Sequence, residues 1–504
     1  MLSLIETARP DPCPAPFNLA AYVLRQAEVM PDKIALQILR TSGAERWSYA
    51  RLKASVLGVS GGLAALGLPA GARVLLRLGN GVEFPLAFLG AIAAGLIPVA
   101  MPAGLTVPEV TALALAVEPA LCIAADGISF PEQNVAMLSS GELRQMADGA
   151  PGVFAMGDPE RAAYMVYTSG TSGTPRAVVH AHRAVWARRM MWQGWYGLRE
   201  SDRVLHAGAM NWTFTLGTGL LDPWAIGATS LVPAAGTEIE QLPLLLKRFD
   251  ATLFAAAPGI YRRMLKSGAP MVLPKLRHAL SAGEALPEDI RGRWIEATCK
   301  PLYEAYGMSE CSTFVSASPS RPAPDGATGY AQPGRHIAVL GEDGAPVARE
   351  ESGTLAVHRD DQGLFLEYHG AADDRRSRFC GDWFLTGDRV SMAQDGAIRY
   401  LGRDDDMMNA GGFRVSPLEV EACLSLSPLA GSVAVVELQP DATRSYIAAF
   451  YTGDASAEDL ARHAEANLAP YKRPRAYHSV AALPMTANGK LNRRALRQEW
   501  RAII

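Results

Sequence analysis

Paired cysteines are missing from this 504-residue chain: Cys13, Cys122, Cys299, Cys311, Cys380 and Cys423 are scattered, with no C-x-x-C among them. That spacing argues against both a disulfide framework and a paired-cysteine zinc site. It suits a reducing compartment, so a cytoplasmic location is expected. Charge of one sign is also scarce, with a formal net charge of −3 and no block of Lys and Arg. The short runs Arg188-Arg189 and Arg375-Arg376-Ser377-Arg378 read as solvated surface, and no nucleic-acid or lipid partner is expected. The opening MLSLIETARPDPCPAP lacks the basic start and apolar run of a signal peptide. A long clean apolar run is wanting too. The stretch Phe84 to Thr106 has the count to span a bilayer, but Pro85, Gly90, Gly95, Pro98, Pro102 and Gly104 interrupt it. It reads as a buried helix running into a buried strand, so no integral membrane segment is expected. Repeats and low-complexity segments are absent.

What is present is an ordinary globular composition, 49% hydrophobic and 20% charged, at a length that implies more than one domain. The first half alternates helical stretches (Leu52–Leu66, Phe84–Gly95, Pro108–Ala116) with short apolar strands (around Arg73 and Ile97–Met101). The pattern returns as helix Leu242–Phe249, strand Thr252–Ala256, helix Pro258–Lys266 and strand Leu276–Ser281. Such alternation predicts an α/β fold with parallel-rich sheets covered by helices. After about residue 320 short strands and turns such as Glu342-Asp-Gly and Gln394-Asp-Gly predict a β subdomain. A charged break, Gly402-Arg-Asp-Asp-Asp406, precedes a compact α+β pattern. The expected division is a large N-terminal domain over 1–402, its β subdomain at about 320–402, and a small C-terminal domain over 403–504.

The sharpest local feature is Tyr167-Thr-Ser-Gly-Thr-Ser-Gly-Thr-Pro-Arg-Ala177, which follows the apolar strand Ala162–Tyr167. Its glycines let backbone N–H groups converge and its hydroxyls add donors, so it can wrap an anion. By itself it can equally be a flexible linker, and the spacing G-x-x-x-x-G-K-[ST] is absent. Two other patterns are set aside. Gly58-Val-Ser-Gly-Gly62 fits G-x-S-x-G but lies in a helical stretch, where small residues serve close packing. Asp404-Asp405-Asp406 lacks the spacing of a calcium loop.

The loop is one of six segments in a fixed order: TSGTSGTPRA, SAGEALP, YEAYGMSE, FLTGD, YLGRDDDMMNAGGFRVSPLEVE and PMTANGKLNRRAL. This order resembles the adenylate-forming superfamily of acyl-CoA synthetases, nonribosomal adenylation domains and luciferases. The resemblance runs from about Thr168 to Leu496. It implies that Thr168, Ser169, Gly170, Thr171, Ser172, Gly173 and Thr174, with Arg176, hold the β- and γ-phosphates of ATP. Gly283, Glu284 and Ala285 match the strip along the adenine, and Tyr306 matches the aromatic that stacks on the base. Gly307 adjoins it, and Ser309 offers a hydroxyl to phosphate. Glu310 matches the acid that binds Mg2+, with Thr171 as a second metal contact. Asp388 matches the carboxylate that accepts the ribose hydroxyls, and Arg403 the arginine beside ribose and phosphate. Lys490 matches the lysine between attacking carboxylate and α-phosphate, where a cation offsets the repulsion of two anions.

The resemblance further implies an AMP-forming carboxylate–CoA ligase, with a small-molecule carboxylic acid, ATP and coenzyme A as its partners. Trp212 to Gly227 looks like the segment that lines the acyl pocket in medium-chain and aryl acyl-CoA synthetases. Trp212 and Phe214 are candidate walls, with Gly307 and Met308 nearby, whereas Trp224 reads as core. Ala207–Pro233 is nearly uncharged and shows no acid suited to anchoring an amino group. Gly411 and Gly412 match the strip lining the thiol tunnel, and Asp405 the hinge on which a mobile C-terminal domain turns between half-reactions. Transfer to a carrier protein is the alternative; no carrier domain is seen, and coenzyme A is the expected acceptor. A homodimer stays open. Two departures stand out, Arg176 and Ala177 in place of lysine and glycine, from which altered ATP affinity is expected.

Overall fold

Strands buried on both faces need helices on both sides, and the computed structural model is built that way. It describes residues 1–132, 134–168, 176–404, 406–410, 413–441, 444–486 and 491–501. Ile34–Arg40, Thr229–Pro233, Arg203–His206, Leu253–Ala256, His278–Ala282 and Leu302–Met308 lie parallel in one sheet. Antiparallel neighbours Gly43–Ser48 and Ser312–Ser316 flank this run, and Tyr330–Ala331 follows the latter. A second sheet runs Ala136–Ser139, Leu121–Ala124, Arg73–Arg77, Ile97–Ala100 and Ala162–Thr168, all parallel. It continues antiparallel through Arg176–Ala181 and Glu367–Tyr368. One continuous core extends between them through residues such as Val23, Val56, Phe88, Trp224 and Phe314.

Small residues set the spacing of the helical layer. The helix Tyr49–Ala65 starts where the Ser48 hydroxyl accepts from the Arg51 N–H. A Cβ on Gly58 would sit 2.5 Å from the carbonyl oxygen of Ala147, and one on Gly61 2.2 Å from that of Ala150. The G-x-S-x-G stretch is therefore helix packing. Gly90, on helix Glu83–Ala93, gives the same close approach to Val59. That helix runs into the strand Ile97–Ala100, as read from Phe84 to Thr106. Among the described residues no helix is long and apolar enough to cross a membrane.

An antiparallel sheet contains Ile337–Leu340, Ser352–His358, Trp383–Met392 and Ile398–Arg403, together with the N-terminal Leu4–Ile5. In the small C-terminal domain Arg444–Gly453 pairs antiparallel with Ala430–Asp441 and parallel with Ala476–Ser479. Helices Pro417–Ser425, Ala457–Asn467 and Arg493–Arg501 accompany them.

Candidate active site

The expected binding segments gather at the carboxyl ends of the parallel strands, where open α/β sheets present loops to ligands. Ala162–Thr168 ends at the loop, His278–Ala282 at Gly283, and Leu302–Met308 at Ser309 and Glu310. Thr168 faces Arg176 across an antiparallel pair, which brings the two ends of segment 169–175 side by side. Ser169, Gly170, Thr171, Ser172, Gly173 and Thr174 lie outside the described residues, as do Asp405, Gly411, Gly412 and Lys490. Arg176 is 2.8 Å from Asp374 and 5.2 Å above the Tyr368 ring. A planar guanidinium makes both contacts at once, which a lysine ammonium does not.

Asp388 is 4% exposed and heavily engaged. It accepts from the Tyr306 hydroxyl at 2.5 Å and the Tyr400 hydroxyl at 3.2 Å, with the Arg403 Nε 3.4 Å away. Arg403 stands directly opposite it in the antiparallel register. Burial pushes the Asp388 carboxyl upward, opposed by Arg403 and the two phenols. Glu310, 5% exposed, accepts from the Tyr368 hydroxyl at 2.6 Å, and Arg378 lies 3.4 Å from the same oxygen. One carboxylate on a hairpin, with no group of three metal-binding side chains among the described residues, fits a hard cation held mainly by phosphate and water oxygens.

The segment expected to lie along the adenine is shaped by close packing. Gly283 has φ +97°, and a Cβ there would lie 2.6 Å from the Trp212 ring. Three residues on, the Leu286 N–H donates to buried Glu304 at 2.9 Å. Burial pushes the Glu304 carboxyl up to about 7. Gly307 is equally constrained, since a Cβ would meet the Ser312 carbonyl at 2.3 Å where the strand register shifts. Met308 is partly buried against the main core.

Beside Ser309 lies a small cavity of about 10 Å³, room for roughly one water, lined in part by Thr213, Leu216, Gly217, Tyr164 and His180. Two irregular turns of π-helix, Trp192–Tyr196 and Thr215–Leu221, belong to its surroundings. Trp212 packs edge-on to Phe214 at 5.3 Å, and Phe214 is buried against Trp195 and His206. Thr213, between them, is the member of that trio on the cavity wall. Trp224 is core, its indole N–H donating to the Ala35 carbonyl.

Arg188 corrects the sequence reading. It was expected on solvated surface, yet it is 6% exposed and lines the cavity. Its charge survives burial because Asp222, 1% exposed, accepts two hydrogen bonds from it at 2.8 and 2.6 Å. Burial opposes the guanidinium charge, but Asp222 outweighs it and raises the Arg188 pKa. Tyr196 also donates to Asp222 at 2.7 Å, and Arg188 reaches the Ser312 hydroxyl. Ser312 is held at φ +62°, a left-handed conformation uncommon for serine. Asp222 is the acid within the nearly uncharged segment, and these bonds leave it unsuited to an amino group. Arg378 departs likewise, half-buried on Glu310 rather than solvated.

Residues 23–369 match the AMP-binding enzyme family, and residues 419–490 match the AMP-binding enzyme C-terminal domain. The chain belongs to the AMP-binding enzyme family. Within this adenylate-forming family it falls in the acyl-CoA synthetase branch and is an AMP-forming acid–thiol ligase. It is 29% identical to a 3-hydroxybenzoate–CoA ligase of Aromatoleum sp. (strain CIB), over 91% of this chain and 93% of the relative. A benzoate–CoA ligase of Thauera aromatica is 29% identical over 86% of each chain. Among solved structures, an anthranilate CoA ligase in complex with anthranoyl-AMP aligns with a TM-score of 0.89 at 27% identity. It covers 98% of this chain and 99% of its own. A benzoate CoA ligase of Burkholderia xenovorans LB400 aligns at 0.84 and 28% identity, over 95% and 100%. ATP and coenzyme A are the co-substrates of this AMP-binding ligase class.

Sequence reasoning missed Tyr400, Tyr368, Arg378 and the Arg188–Asp222 pair in this AMP-binding enzyme. Tyr400 carried a usable signal, two residues before the Gly402-Arg403 break. The partners of Arg188 lie up to 124 residues away in the chain, and nothing local reveals them.

Proposed function

We propose that this ligase activates an aryl or medium-chain carboxylic acid with Mg-ATP and passes the acyl group to coenzyme A. The observation that carries the substrate class is the nearly uncharged segment Ala207–Pro233, whose Leu216, Gly217 and Leu221 lie beside Ser309. Ser309 offers its hydroxyl to phosphate beside this segment, so an acid held against it has its carboxylate near the nucleotide. The names of the aryl-CoA ligase relatives support the aryl choice. Asp388, with Tyr306 and Arg403 around it, holds the ribose. Gly283, Glu284 and Ala285 lie along the adenine, and the 168–176 loop cradles the phosphates. Glu310 and Thr171 are the metal contacts, and bound Mg2+ would neutralise phosphate charge.

Lys490 guides the carboxylate onto the α-phosphate and pyrophosphate leaves. The domain over 403–504 then turns about Asp405 and brings Gly411 and Gly412 to the site, where the thiol of coenzyme A attacks the acyl adenylate and AMP is released. The scattered free cysteines and the composition support a cytoplasmic location. Pyrophosphate release measured over aryl and aliphatic acids of about two to twelve carbons tests the substrate class, since an apolar pocket separates neighbouring homologues by about 1–3 kcal/mol per methylene. Release confined to short aliphatic acids overturns it. Lys490→Ala is expected to abolish adenylation while sparing thioester formation from a supplied acyl adenylate. Equal loss of both half-reactions refutes that role.

A further inference from the structure

The five residues that follow strand Leu302–Met308 are each gripped from far along the chain. The Ser309 carbonyl accepts from His180 Nε2 at 2.7 Å, and the Glu310 carbonyl from the Phe365 N–H at 2.7 Å. The Cys311 thiol sits 3.8 Å from Asp361 and 3.7 Å from Arg335. The Ser312 hydroxyl accepts from Arg188, and the Thr313 carbonyl accepts from Arg335 at 3.0 Å. Ser312 is also the residue held at φ +62°. A non-glycine residue in that region persists where its surroundings over-determine it, and such places cluster at functional sites. Here the over-determined turn carries Ser309 and Glu310.

Two of these grips come from a buried ion pair that lies outside all six sequence segments. Arg335 and Asp361 each have 1% of the side chain exposed, and the Arg335 Nη1 donates to Asp361 Oδ1. The same oxygen accepts from the Gly363 N–H at 2.8 Å, and the Asp361 carbonyl accepts from the Leu364 N–H at 3.0 Å. A Cβ on Gly363 would come within 2.7 Å of the Arg335 Nη1. The pair therefore sets both flanks of Glu310, the Thr313 side through the guanidinium and the Phe365 side through the bend at Asp361. As a stabilising device it is poor. Asp361 Oδ2 and Arg335 Nε find no protein partner among the described residues, and a partly satisfied buried pair is often no better than apolar side chains of its size. Its use is geometric: a planar fork reaches Asp361 and the Thr313 carbonyl together, where an ammonium reaches one.

We propose that Arg335 and Asp361 are positioning residues, fixing the turn around Glu310 so that its carboxylate stays aimed at the Mg2+ carried by ATP. This rests on the reading of Glu310 as a metal contact. The test is ATP binding to the full chain by calorimetry without acid, once with Mg2+ and once with EDTA. The Mg2+ concentration that half-saturates pyrophosphate release is measured beside it. Wild type is compared with Arg335→Lys, with Arg335→Met and Asp361→Leu combined, and with Glu310→Gln. The double variant replaces the pair by apolar side chains of similar size, so its urea unfolding should match or exceed wild type.

The gain in ATP affinity that Mg2+ confers is expected to fall about tenfold in both Arg335 variants, with half-saturating Mg2+ rising by a similar factor. Binding in EDTA should stay close to wild type. A wild-type Mg2+ response in the stable double variant overturns the proposal, because the pair then only holds the fold together. If the double variant does not fold, Arg335→Lys decides, and an unchanged Mg2+ response in it overturns the proposal equally. Glu310→Gln tests the premise separately. If it keeps the wild-type Mg2+ response, the metal-contact reading fails and takes the proposal with it. If it loses that response while the Arg335 variants keep it, the proposal alone fails.

Discussion

Gly217 is where one methyl group has the largest calculable consequence. A Cβ built there lies 2.1 Å from the Arg188 Cζ and Nη2, well inside contact distance. Arg188 has nowhere to retreat, for its guanidinium is tied to both Asp222 oxygens at 2.8 and 2.6 Å, to Tyr196 at 3.3 Å and to Ser312. Gly217→Ala must therefore bend the surrounding π-helical turn or pull the guanidinium off its carboxylate. Overpacking costs about 1–3 kcal/mol and loss of a buried pair's partner about 3–5, so a partial loss here is set at about 2–4 kcal/mol. Urea unfolding followed by tryptophan fluorescence measures it, with fully buried Trp195 in this layer as a reporter. The acid's KM should rise as well, because Gly217 lies in the segment Trp212–Gly227 proposed to line the acyl pocket. Gly259→Ala is the matched control: it sits in helix Pro258–Met264 with no atom within 4 Å of the added Cβ. There the same methyl should stabilise by about 0.5–1 kcal/mol. If Gly217→Ala unfolds within about 0.5 kcal/mol of wild type and keeps its acid KM, the guanidinium is not pinned as described.

Asp222→Asn should cost about 3–5 kcal/mol in the same unfolding assay, since it strands a buried arginine charge; Arg188→Met added to it should recover part of the loss. Glu304, raised by burial from its ordinary 4.5 to about 7, binds its proton more tightly folded than unfolded. Its contribution is thus fully present below about pH 4.5 and is lost as pH rises to about 7, so wild type should lose about 3 kcal/mol relative to Glu304→Gln across that window. A constant difference between the two from pH 4 to 8 would count against a buried, shifted carboxyl. Arg176→Lys should shift the KM for ATP while retaining turnover, because a single ammonium cannot keep both the Asp374 and Tyr368 contacts. Initial-rate kinetics decide this, and an unchanged KM refutes it. The fold itself should change little, as the Arg176–Asp374 pair is partly exposed and worth about 1 kcal/mol at most.

Much of this protein was legible from the chain alone, for local reasons. Apolar runs such as Val74–Leu76 and Ile97–Val99 are buried on both faces, so their texture already specified parallel strands between helices. The interrupted stretch from Phe84 to Thr106 gave itself away by its prolines and glycines. The six segments also carried family and reaction, because those loops put backbone and side-chain donors at fixed offsets after strands. Tertiary structure alone decided which charges are buried. Arg188 and Arg378 look like any arginine in a short basic run, and their desolvation depends on Asp222, Ser312, Glu310 and Tyr368 arriving from distant strands. The same holds for the His180 imidazole, whose tautomer is set by the Ser309 carbonyl 129 residues away. Periodicity and motif order report what a segment does along its own axis. The charge state and the free lone pair of a buried group are set by what folds across from it, and those contacts have no local sequence signature.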